Sequence, residues 1–453
     1  MDLVDATIVV VAAPAIVRDL GATPAQLQWV LAAYTFALGS GLITGGRIGD
    51  DYGHRRVLLG SLTAFAVASA LCALAPTAPL LIGARVLQGV AAGLLVPQTL
   101  GIIRSCFDAA GQAKAFGAFG ATQSLAAVVG PLLGGFLVIA NLGGLGWRTI
   151  FWVNLPVAAL ALLIGLRVLP QSRQPQTTRL DAVGAALAAA SVVLVLLPIV
   201  QGRDWGWPTW GWVILACGVL LFVAFLAYER RLAAAGGAPI LDPALLRNRT
   251  FSLGLVASLL FFGGIGGFFL TLSIYLQQGT GRTAWDTGLI MLPYALGSII
   301  TSGIGIALGA KLGRQLLVAG ALTLAAAHLL TWFLVKDGTD PGTWPLAGAL
   351  FLGGLGLGLT APILLSTILA GVPGRSAGTA SGVLTSITQF GGAVGIAALG
   401  TIYFNTLASN TGAPNTLHAH AFANVLAPWE VACYLIAALL VANLRAQPAN
   451  GAN

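Results

Sequence analysis

The chain has 453 residues and only 8% of them are charged, with 22 Lys or Arg and 14 Asp or Glu. A soluble globular protein carries about 25% charged residues, so this chain lacks the charges to cover a soluble surface. That excludes an ordinary soluble enzyme, a disordered protein and a secreted disulfide scaffold. The apolar share of 57%, with 60 Gly and 21 Pro, is typical of membrane-spanning helices. The composition therefore predicts an all-α polytopic membrane protein.

Apolar runs long enough to cross the hydrocarbon core, about 20 residues each, predict fourteen spans. In chain order they are Val4–Val17, Trp29–Ile48, Val57–Ala75, Leu80–Ile103, Ala115–Ala140, Ile150–Val168, Ala182–Val200, Trp210–Tyr228, Ser252–Tyr275, Thr287–Leu308, Leu316–Val335, Trp344–Ala370, Thr379–Tyr403 and Val425–Asn443. The first run is the short one and covers only about 21 Å at 1.5 Å per residue. For this reason we expect the natural chain to start upstream of Met1.

The basic residues follow the alternation expected of a membrane protein. With the N-terminus inside, sixteen Lys and Arg fall in inner connections and five in outer ones, while Arg85 lies within a span. This distribution satisfies the positive-inside rule and predicts cytoplasmic N- and C-termini in a plasma (inner) membrane. It also accounts for the net charge of +8, so no nucleic-acid partner is predicted.

Small residues recur at a nearly constant offset of about 260 positions. The matching sets are Gly89, Gly93 and Pro97 with Gly354, Gly358 and Pro362; Gly53 with Gly313; and Gly130, Pro131 and Gly134 with Gly391, Gly392 and Gly395. Three such echoes in order predict the duplicated halves of a transporter. We therefore divide the chain into a six-helix bundle at 1–168, an inserted helix pair with its linkers at 169–250, and a second six-helix bundle at 251–453.

Ionisable side chains inside a bilayer are costly and are therefore candidate functional residues. Asp5 lies in the first span, and Arg85 and Gln88 lie on one face of the fourth. A carboxylate beside a fixed positive charge could bind and release a proton, although a purely structural bridge is the alternative for Arg85. His328 is interpreted as a hydrogen-bonded packing residue. The remaining acids are placed at helix ends or in loops, among them Asp50, Asp181, Glu229, Asp286 and Glu430.

Several motifs resemble those of the major facilitator superfamily. The stretch Gly46-Arg47-Ile48-Gly49-Asp50-Asp51-Tyr52-Gly53-His54-Arg55-Arg56 resembles its cytoplasmic signature loop, and Arg85-Val86-Leu87-Gln88-Gly89 resembles its fourth-helix motif. Gly120 followed by Gly130-Pro131-Leu132-Leu133-Gly134-Gly135 resembles the fifth-helix motif of antiporters. Asp5-Ala6-Thr7-Ile8-Val9, the Trp147–Pro156 segment, Trp205-Gly206-Trp207 and Tyr275-Leu276-Gln277 are similar to motifs of the fourteen-spanner drug:proton antiporter branch.

This chain departs from the family pattern at particular positions. Asp51 and His54 stand in the signature loop where arginine is usual, and Val10, Ala126 and Thr388 replace the residues common in the first, fifth and thirteenth helices. These departures concern the strength of the cytoplasmic gate and the polarity of the cavity.

The motifs also have a physical interpretation. Gly53 permits a tight turn between antiparallel helices. Arg47 and Arg55 could bind helix-end carbonyls and Asp50, which would lock the two halves together on the inner side; inner charges that serve only topology are the alternative. Gly130 and Pro131 are expected to kink the fifth span or allow close packing.

The resemblance implies a major facilitator fold and proton-coupled export of hydrophobic small molecules such as drugs or antibiotics by alternating access. Candidate cavity residues are Tyr34, Gln88, Gln98, Gln123, Gln277, Trp332, Gln389 and Phe390. This apolar set favours amphiphilic substrates over a sugar or an amino acid, so nutrient uptake is the alternative, and a membrane enzyme acting on lipid is a weaker one. His418-Ala419-His420, placed in an exposed loop, is a weak metal signal. We expect no cofactor and no enzymatic activity, with the proton gradient as energy source and a functional monomer.

Overall fold

The computed structural model describes residues 1–170, 181–237, 239–241, 243–370, 372 and 377–443, and these residues form helices joined by short turns. The predicted all-α fold is thus confirmed. Most of the predicted linker after the sixth span lies outside the described residues, as do four of the predicted inner basic residues, Arg173, Arg179, Arg375 and Arg445.

In the described residues, the N-terminal half and the inserted pair contain ten helices. They are α1 (Asp2–Leu20), α2 (Pro24–Tyr52), α3 (His54–Leu74), α4 (Ala78–Cys106), α5 (Ala109–Ala140), α6 (Thr149–Trp152), α7 (Asn154–Val168), α8 (Ala182–Gln201), α9 (Thr209–Ala234) and α10 (Pro243–Arg247). Two 3₁₀ turns, Leu142–Gly144 and Gly146–Arg148, precede α6. The second turn, α6 and α7 together form the sixth predicted span.

The described part of the C-terminal half contains six helices and two π-helical turns. The helices are α11 (Arg249–Ile274), α12 (Ala284–Val335), α13 (Thr343–Ala370), α14 (Ala377–Ser409), α15 (Pro414–Val425) and α16 (Val431–Ala442). The π-helical turns are Tyr275–Gly279, which extends α11, and Leu426–Glu430, which joins α15 to α16.

The number of membrane spans comes close to the predicted fourteen. Among the described residues, twelve helical segments are long and apolar enough to cross a membrane, and the pair Pro24–Leu42 and Thr44–Tyr52, bent by 47°, makes a thirteenth. The helix α1 is longer than the predicted Val4–Val17, with 19 residues, which reach about 28 Å. Its four charged residues set it apart from the apolar segments, so the fourteenth crossing remains a prediction for α1.

The tenth and eleventh predicted spans are found as two segments, Ala284–Gly305 and Leu312–Val335, which α12 joins through Gly313, where the backbone leaves helical geometry. One boundary differs from the sequence-based expectation, because the last span begins at Pro414 instead of Val425. The polar stretch after Pro414 suggests a loop, but its apolar residues Ala419, Ala421 and Phe422 are buried and hold it in helical form. His418 and His420 therefore lie on a helix and not in an exposed loop.

The repeated small residues make the same kind of helix contact in both halves. Gly89 and Gly93 of α4 pack against α2, where a Cβ at Gly89 would approach the Ala37 methyl to 2.8 Å. Gly354 and Gly358 of α13 pack in the same way against the first part of α12. Small residues let helix backbones approach closely in a membrane. These equivalent contacts support two pseudo-symmetric six-helix bundles with α8 and α9 inserted between them.

Candidate functional site

Asp5 of α1 and Arg85 of α4 meet inside the N-terminal half. The relative exposure of Asp5 is 0% and that of Arg85 is 1%, and Nη1 of Arg85 donates a hydrogen bond to Oδ2 of Asp5. The structure thus brings the two expected ionisable residues into direct contact. Removing one partner of such a buried pair typically costs about 3–5 kcal/mol, so the two groups depend on each other.

The other oxygen of the Asp5 carboxylate is held by two amides. Gln88 Nε2 and Asn154 Nδ2 each donate to Asp5 Oδ1 at 2.8 Å. Both amides also donate to Ser69 Oγ, at 3.2 and 2.9 Å. We call Asp5, Ser69, Arg85, Gln88 and Asn154 the Asp5 cluster. Its members come from α1, α3, α4 and α7, so a change at Asp5 is felt by four helices.

Two members of the Asp5 cluster are absent from the sequence-based candidates. Asn154 had a signal, because it belongs to the segment with Trp147 and Arg148 that resembles a motif of the antiporter branch. Ser69 had none, since a serine inside an apolar span is common and its hydroxyl here also donates to the Phe151 carbonyl at 3.0 Å.

Arg85 keeps several partners besides Asp5. Its Nε donates to the Val30 carbonyl at 3.1 Å, and its Nη1 donates to Gln88 Oε1 at 2.8 Å. Its guanidinium carbon lies 4.0 Å from the centre of the Tyr34 ring, within cation–π range. These contacts keep the guanidinium in place while the charge of Asp5 changes.

The signature loop lies where α2 turns into α3, and we call this end of the bundle the signature end. Gly53 adopts φ 88°, a conformation that favours glycine. Arg47 Nη2 donates to the Pro239 carbonyl at 2.7 Å and Arg55 Nη2 to the Leu166 carbonyl at 2.8 Å. Both arginines thus bind carbonyls as expected, but Leu166 belongs to the same half and Pro239 to the segment after α9.

The departure at His54 has a clear structural consequence. Its Nε2 lies 3.4 Å from Oδ1 of Asp50, and its Nδ1 lies 2.9 Å from Oε1 of Gln98. Gln98 in turn donates to the Gly45 carbonyl at 2.7 Å. His54 therefore connects the signature loop to α4. The side chain of Arg56, another predicted gate residue, is exposed. A Cβ added at Gly46, also predicted for the gate, would meet no neighbouring atom within 4 Å.

A cavity of about 690 Å³ opens at the signature end, between α2 and α4 on one side and α14 on the other. Its charged or titratable lining residues are Arg47, Asp50, His54 and Arg104. The α14 side contributes Thr379, Ser381 and Thr385. Among the described lining residues, the two arginines outnumber the single carboxylate, so this part of the mouth carries net positive charge.

The eight predicted cavity residues lie elsewhere, and none is among the described residues that line this cavity. Tyr34 and Gln88 belong to or touch the Asp5 cluster, and Gln98 is tied to the signature loop. Gln277 donates to the Val11 carbonyl at 2.8 Å and so bridges the halves. Phe390 packs 5.7 Å from the Phe36 ring, next to Gln389. Gln123 and Trp332 are half-buried on α5 and α12.

The predicted antiporter motif packs α5 against both halves, at the end opposite the signature end. A Cβ at Gly134 would approach Ile8 Cγ1 of α1 to 2.9 Å, and one at Gly135 would approach Trp285 Cα of α12 to 2.8 Å. Gly288 packs equally closely against Pro131, and Gly130 packs against Thr7. The motif thus brings α5 into close contact with α1 of its own half and with α12 of the other half.

A second buried ionisable pair corrects the placement of Glu430. It was expected near an outer helix end that water can reach, but its relative exposure is 0%, and its Oε2 lies 3.3 Å from Nε2 of His328. The earlier start of the last span, at Pro414, explains the difference, because Glu430 then falls in the middle of that span. Asp286, by contrast, does lie at an exposed helix start, where it caps α12 with Thr283.

His418 also has a structural partner. Its Nδ1 lies 2.7 Å from the Tyr403 hydroxyl. Across the described residues, no three His, Cys, Asp or Glu side chains form a group that could hold a metal ion.

Curated proteins with similar sequences include exporters and resistance proteins. The chain is 40% identical over 418 residues to a probable actinorhodin transporter of Streptomyces coelicolor, covering 91% of this chain and 72% of that protein. It is 37% identical to the puromycin resistance protein pur8 of Streptomyces alboniger, covering 88% and 78%. It is 34% identical to the cephamycin export protein CmcT of Amycolatopsis lactamdurans, covering 98% and 90%.

Solved structures share the fold at low sequence identity. A POT family peptide transporter in an auto-inhibited state matches with a TM-score of 0.67 and 16% identity over 100% of this chain and 97% of that one. The human organic anion transporter MFSD10 matches with a TM-score of 0.59 and 18% identity over 97% and 96%. The family model described as Major Facilitator Superfamily matches residues 1–396. The chain therefore belongs to the major facilitator superfamily.

Proposed function

We propose that this protein exports hydrophobic small molecules of the antibiotic class in exchange for protons. The two halves alternate access to a site between them, and Asp5 carries the proton. The observation that carries the proposal is the Asp5 cluster, in which a fully buried carboxylate is held by Arg85 and two amides. An intramembrane carboxylate of this kind is a functional residue by default.

The chemistry of the proton step follows from the contacts of Asp5. A proton from the outer water neutralises the carboxylate, which removes its attraction to Arg85 but leaves both amide bonds possible. Arg85 stays on the Val30 carbonyl, Gln88 and the Tyr34 ring. Helices α1, α3, α4 and α7 then pack around a cluster of different charge, and this gives a proton a means of biasing the equilibrium between two conformations.

The shape of the molecule fits the step of an export cycle in which the site is open to the cytoplasm. The cavity lies at the signature end, which the basic-residue distribution assigns to the cytoplasm. At the opposite end, α5 of one half is in close contact with α12 of the other half. A molecule can thus enter from the cytoplasmic side and leave once the α5–α12 contact opens. The names of the relatives, which refer to actinorhodin, puromycin and cephamycin, support a substrate class of antibiotic-like compounds.

The rest of the proposal concerns setting and partners. The protein acts in the plasma membrane with both termini in the cytoplasm, and it functions as a monomer. It uses the proton gradient in place of a cofactor and performs no chemical conversion of its substrate.

Inverted membrane vesicles provide the test. Puromycin, a cephamycin and a neutral lipophilic dye are each offered under an imposed pH gradient, with and without an uncoupler. Accumulation in vesicles that carry the protein, abolished by the uncoupler and absent from vesicles without it, is the expected result. Proton-driven loss of a compound from inverted vesicles would instead indicate uptake into the cell, and accumulation that ignores the uncoupler would contradict proton coupling.

A further inference from the structure

The C-terminal half contains a second buried acid–base pair, His328 of α12 and Glu430 at the end of the π-helical turn. The relative exposure of His328 is 1% and that of Glu430 is 0%. Among the described residues, no hydrogen bond reaches either carboxylate oxygen of Glu430 or Nε2 of His328. Buried polar groups are nearly always satisfied, and an exception calls for an explanation.

The geometry of His328 fixes where a proton is needed. Its Nδ1 lies 2.8 Å from the Leu324 carbonyl, and a carbonyl can only accept, so Nδ1 carries a hydrogen. In a neutral imidazole, Nε2 is then an acceptor. It lies 3.3 Å from Oε2 of Glu430 without a hydrogen bond between them, and two bare acceptors at this distance repel unless one of the two residues carries a proton. The pair therefore holds a single proton, which either residue can carry.

The surroundings favour the neutral form of the pair. The His328 ring lies 4.5 Å from that of Phe268 and 4.9 Å from that of Tyr434. The other titratable groups near Glu430 are Tyr294 of α12 and Cys433 and Tyr434 of α16, and none of these is a cation at neutral pH. No ion pair of Glu430 with Lys or Arg occurs in the described part of the chain. A bare carboxylate in such a setting is costly, so the single proton resides on Glu430.

The pair also sits where the helix backbone is irregular. The turn Leu426–Glu430 has π-helical geometry, which is frequent at functional sites. Gly264 of α11 leaves room for the Tyr434 hydroxyl, which a Cβ there would approach to 2.7 Å. That hydroxyl and the one of Tyr294 are themselves unpaired. Water that entered during the transport cycle would find five unpaired polar atoms and could exchange a proton with them.

We propose that His328 and Glu430 form a second proton-carrying site, so that each half of the transporter holds one exchangeable proton. This inference rests on the proposed proton-driven export. The proton leaves Glu430 to water on the cytoplasmic side and is replaced from water on the outer side, with His328 as the base that stabilises each transfer. The partner of Asp5 is Arg85, whose positive charge is fixed. The partner of Glu430 is His328, which can itself take up the proton.

The test counts protons in liposomes loaded with a pH-sensitive dye, with puromycin as the transported probe. The variants are Glu430→Gln, His328→Gln and the double substitution, and exposed Asp337→Asn is the matched control. Each single variant is expected to move about one proton fewer per puromycin than the wild type. The double variant is expected to show the same loss of one proton and not of two, because both residues belong to one proton site. A wild-type proton count in either single variant, or a double variant that loses two protons, would overturn the proposal.

Infrared spectroscopy of the purified protein separates this proposal from the proposed function, because it needs no transport. The carbonyl stretch of a protonated carboxylic acid is expected in wild type and in Asp5→Asn, and its loss is expected in Glu430→Gln. In His328→Gln the band should persist to higher pH, since the base is gone. A wild-type band that survives Glu430→Gln would overturn the second site even if export is proton-driven. A wild type that moves no protons would instead contradict the proposed function.

Discussion

Asp5 is the side chain on which proton coupling is expected to depend. In Asp5→Asn the amide keeps the size of the side chain and can still meet Gln88 and Asn154, but it cannot take up a proton. We expect proton-driven export to fall to background. The affinity for the transported compound should change by less than about tenfold, which corresponds to a change of about 1.4 kcal/mol in binding free energy. Export under a pH gradient and equilibrium binding to purified protein measure the two quantities.

The control for Asp5→Asn is Asp2→Asn on the same helical turn, which removes a partly exposed carboxylate and should leave export unchanged. An Asp5→Asn protein that pumps at the wild-type rate would show that Asp5 does not couple export to protons.

Arg85 is expected to tolerate lysine only in part. A lysine reaches Asp5 but lacks the planar fork with which Arg85 also binds the Val30 carbonyl and covers the Tyr34 ring. We predict no export for Arg85→Ala and about a tenth of the wild-type rate for Arg85→Lys, with a lower melting temperature for the alanine variant because Asp5 loses its partner. Exposed Arg167→Lys serves as control, and equal export by all forms would make Arg85 dispensable.

At the residue scale, sequence reasoning finds side chains whose burial is expensive. Asp5 and Arg85 stand out because charges are scarce in the spans, and they meet in the structure. Ser69 and Asn154 carry no charge and so give a weak signal. His328 and Glu430 lie about a hundred residues apart, and only the three-dimensional packing of α12 against the turn Leu426–Glu430 brings them together.

At the element scale, glycine positions on α5 decide how closely the halves pack. A Cβ at Gly135 would approach the Trp285 backbone to 2.8 Å, whereas one at Gly117 on the same helix meets nothing within 4 Å. Overpacking costs about 1–3 kcal/mol, so Gly135→Ala should shift the conformational equilibrium away from the conformation with this contact by about tenfold. Compared with the wild type, we expect the Gly135→Ala variant to export more slowly. A cysteine introduced at the end of the bundle opposite the signature end should also react faster with a thiol reagent in this variant. Gly117→Ala has the same helix propensity change, and indistinguishable export by the two variants would refute the role of this contact.

Helix positions are largely predictable because apolar runs of crossing length have few alternatives in a membrane. The exceptions are segments in which polar residues lie on a helix that packs against the protein, so that their polarity wrongly suggests a loop outside the membrane. The helix α15 begins with Pro414-Asn415-Thr416, which looks like a loop, yet its buried face is apolar. The irregular backbone at Leu426–Glu430 does have a sequence signal, Pro428, because a proline inside a helix removes a backbone hydrogen bond and kinks the helix.

At the scale of the whole molecule, the charge of the cavity predicts which substrates are preferred. Its mouth carries Arg47 and Arg104 against Asp50, and the interior acids are neutralised, Asp5 by Arg85 and Glu430 by its proton. A dication would need more than one carboxylate to offset its desolvation. We therefore expect neutral, weakly anionic or monocationic amphiphiles to be exported in preference to rigid dications.

The measurement compares export of a zwitterionic antibiotic with that of a rigid dication of similar size and lipophilicity, both with an uncoupler control. The dication is expected to be exported about tenfold more slowly or worse, because each 1.4 kcal/mol of uncompensated charge costs that factor. Arg104→Gln removes one positive charge from the mouth and should narrow the difference, whereas exposed Arg167→Gln should not. Faster, saturable and uncoupler-sensitive export of the dication would refute the prediction, and it would imply that Glu430 gives up its proton to receive the cation.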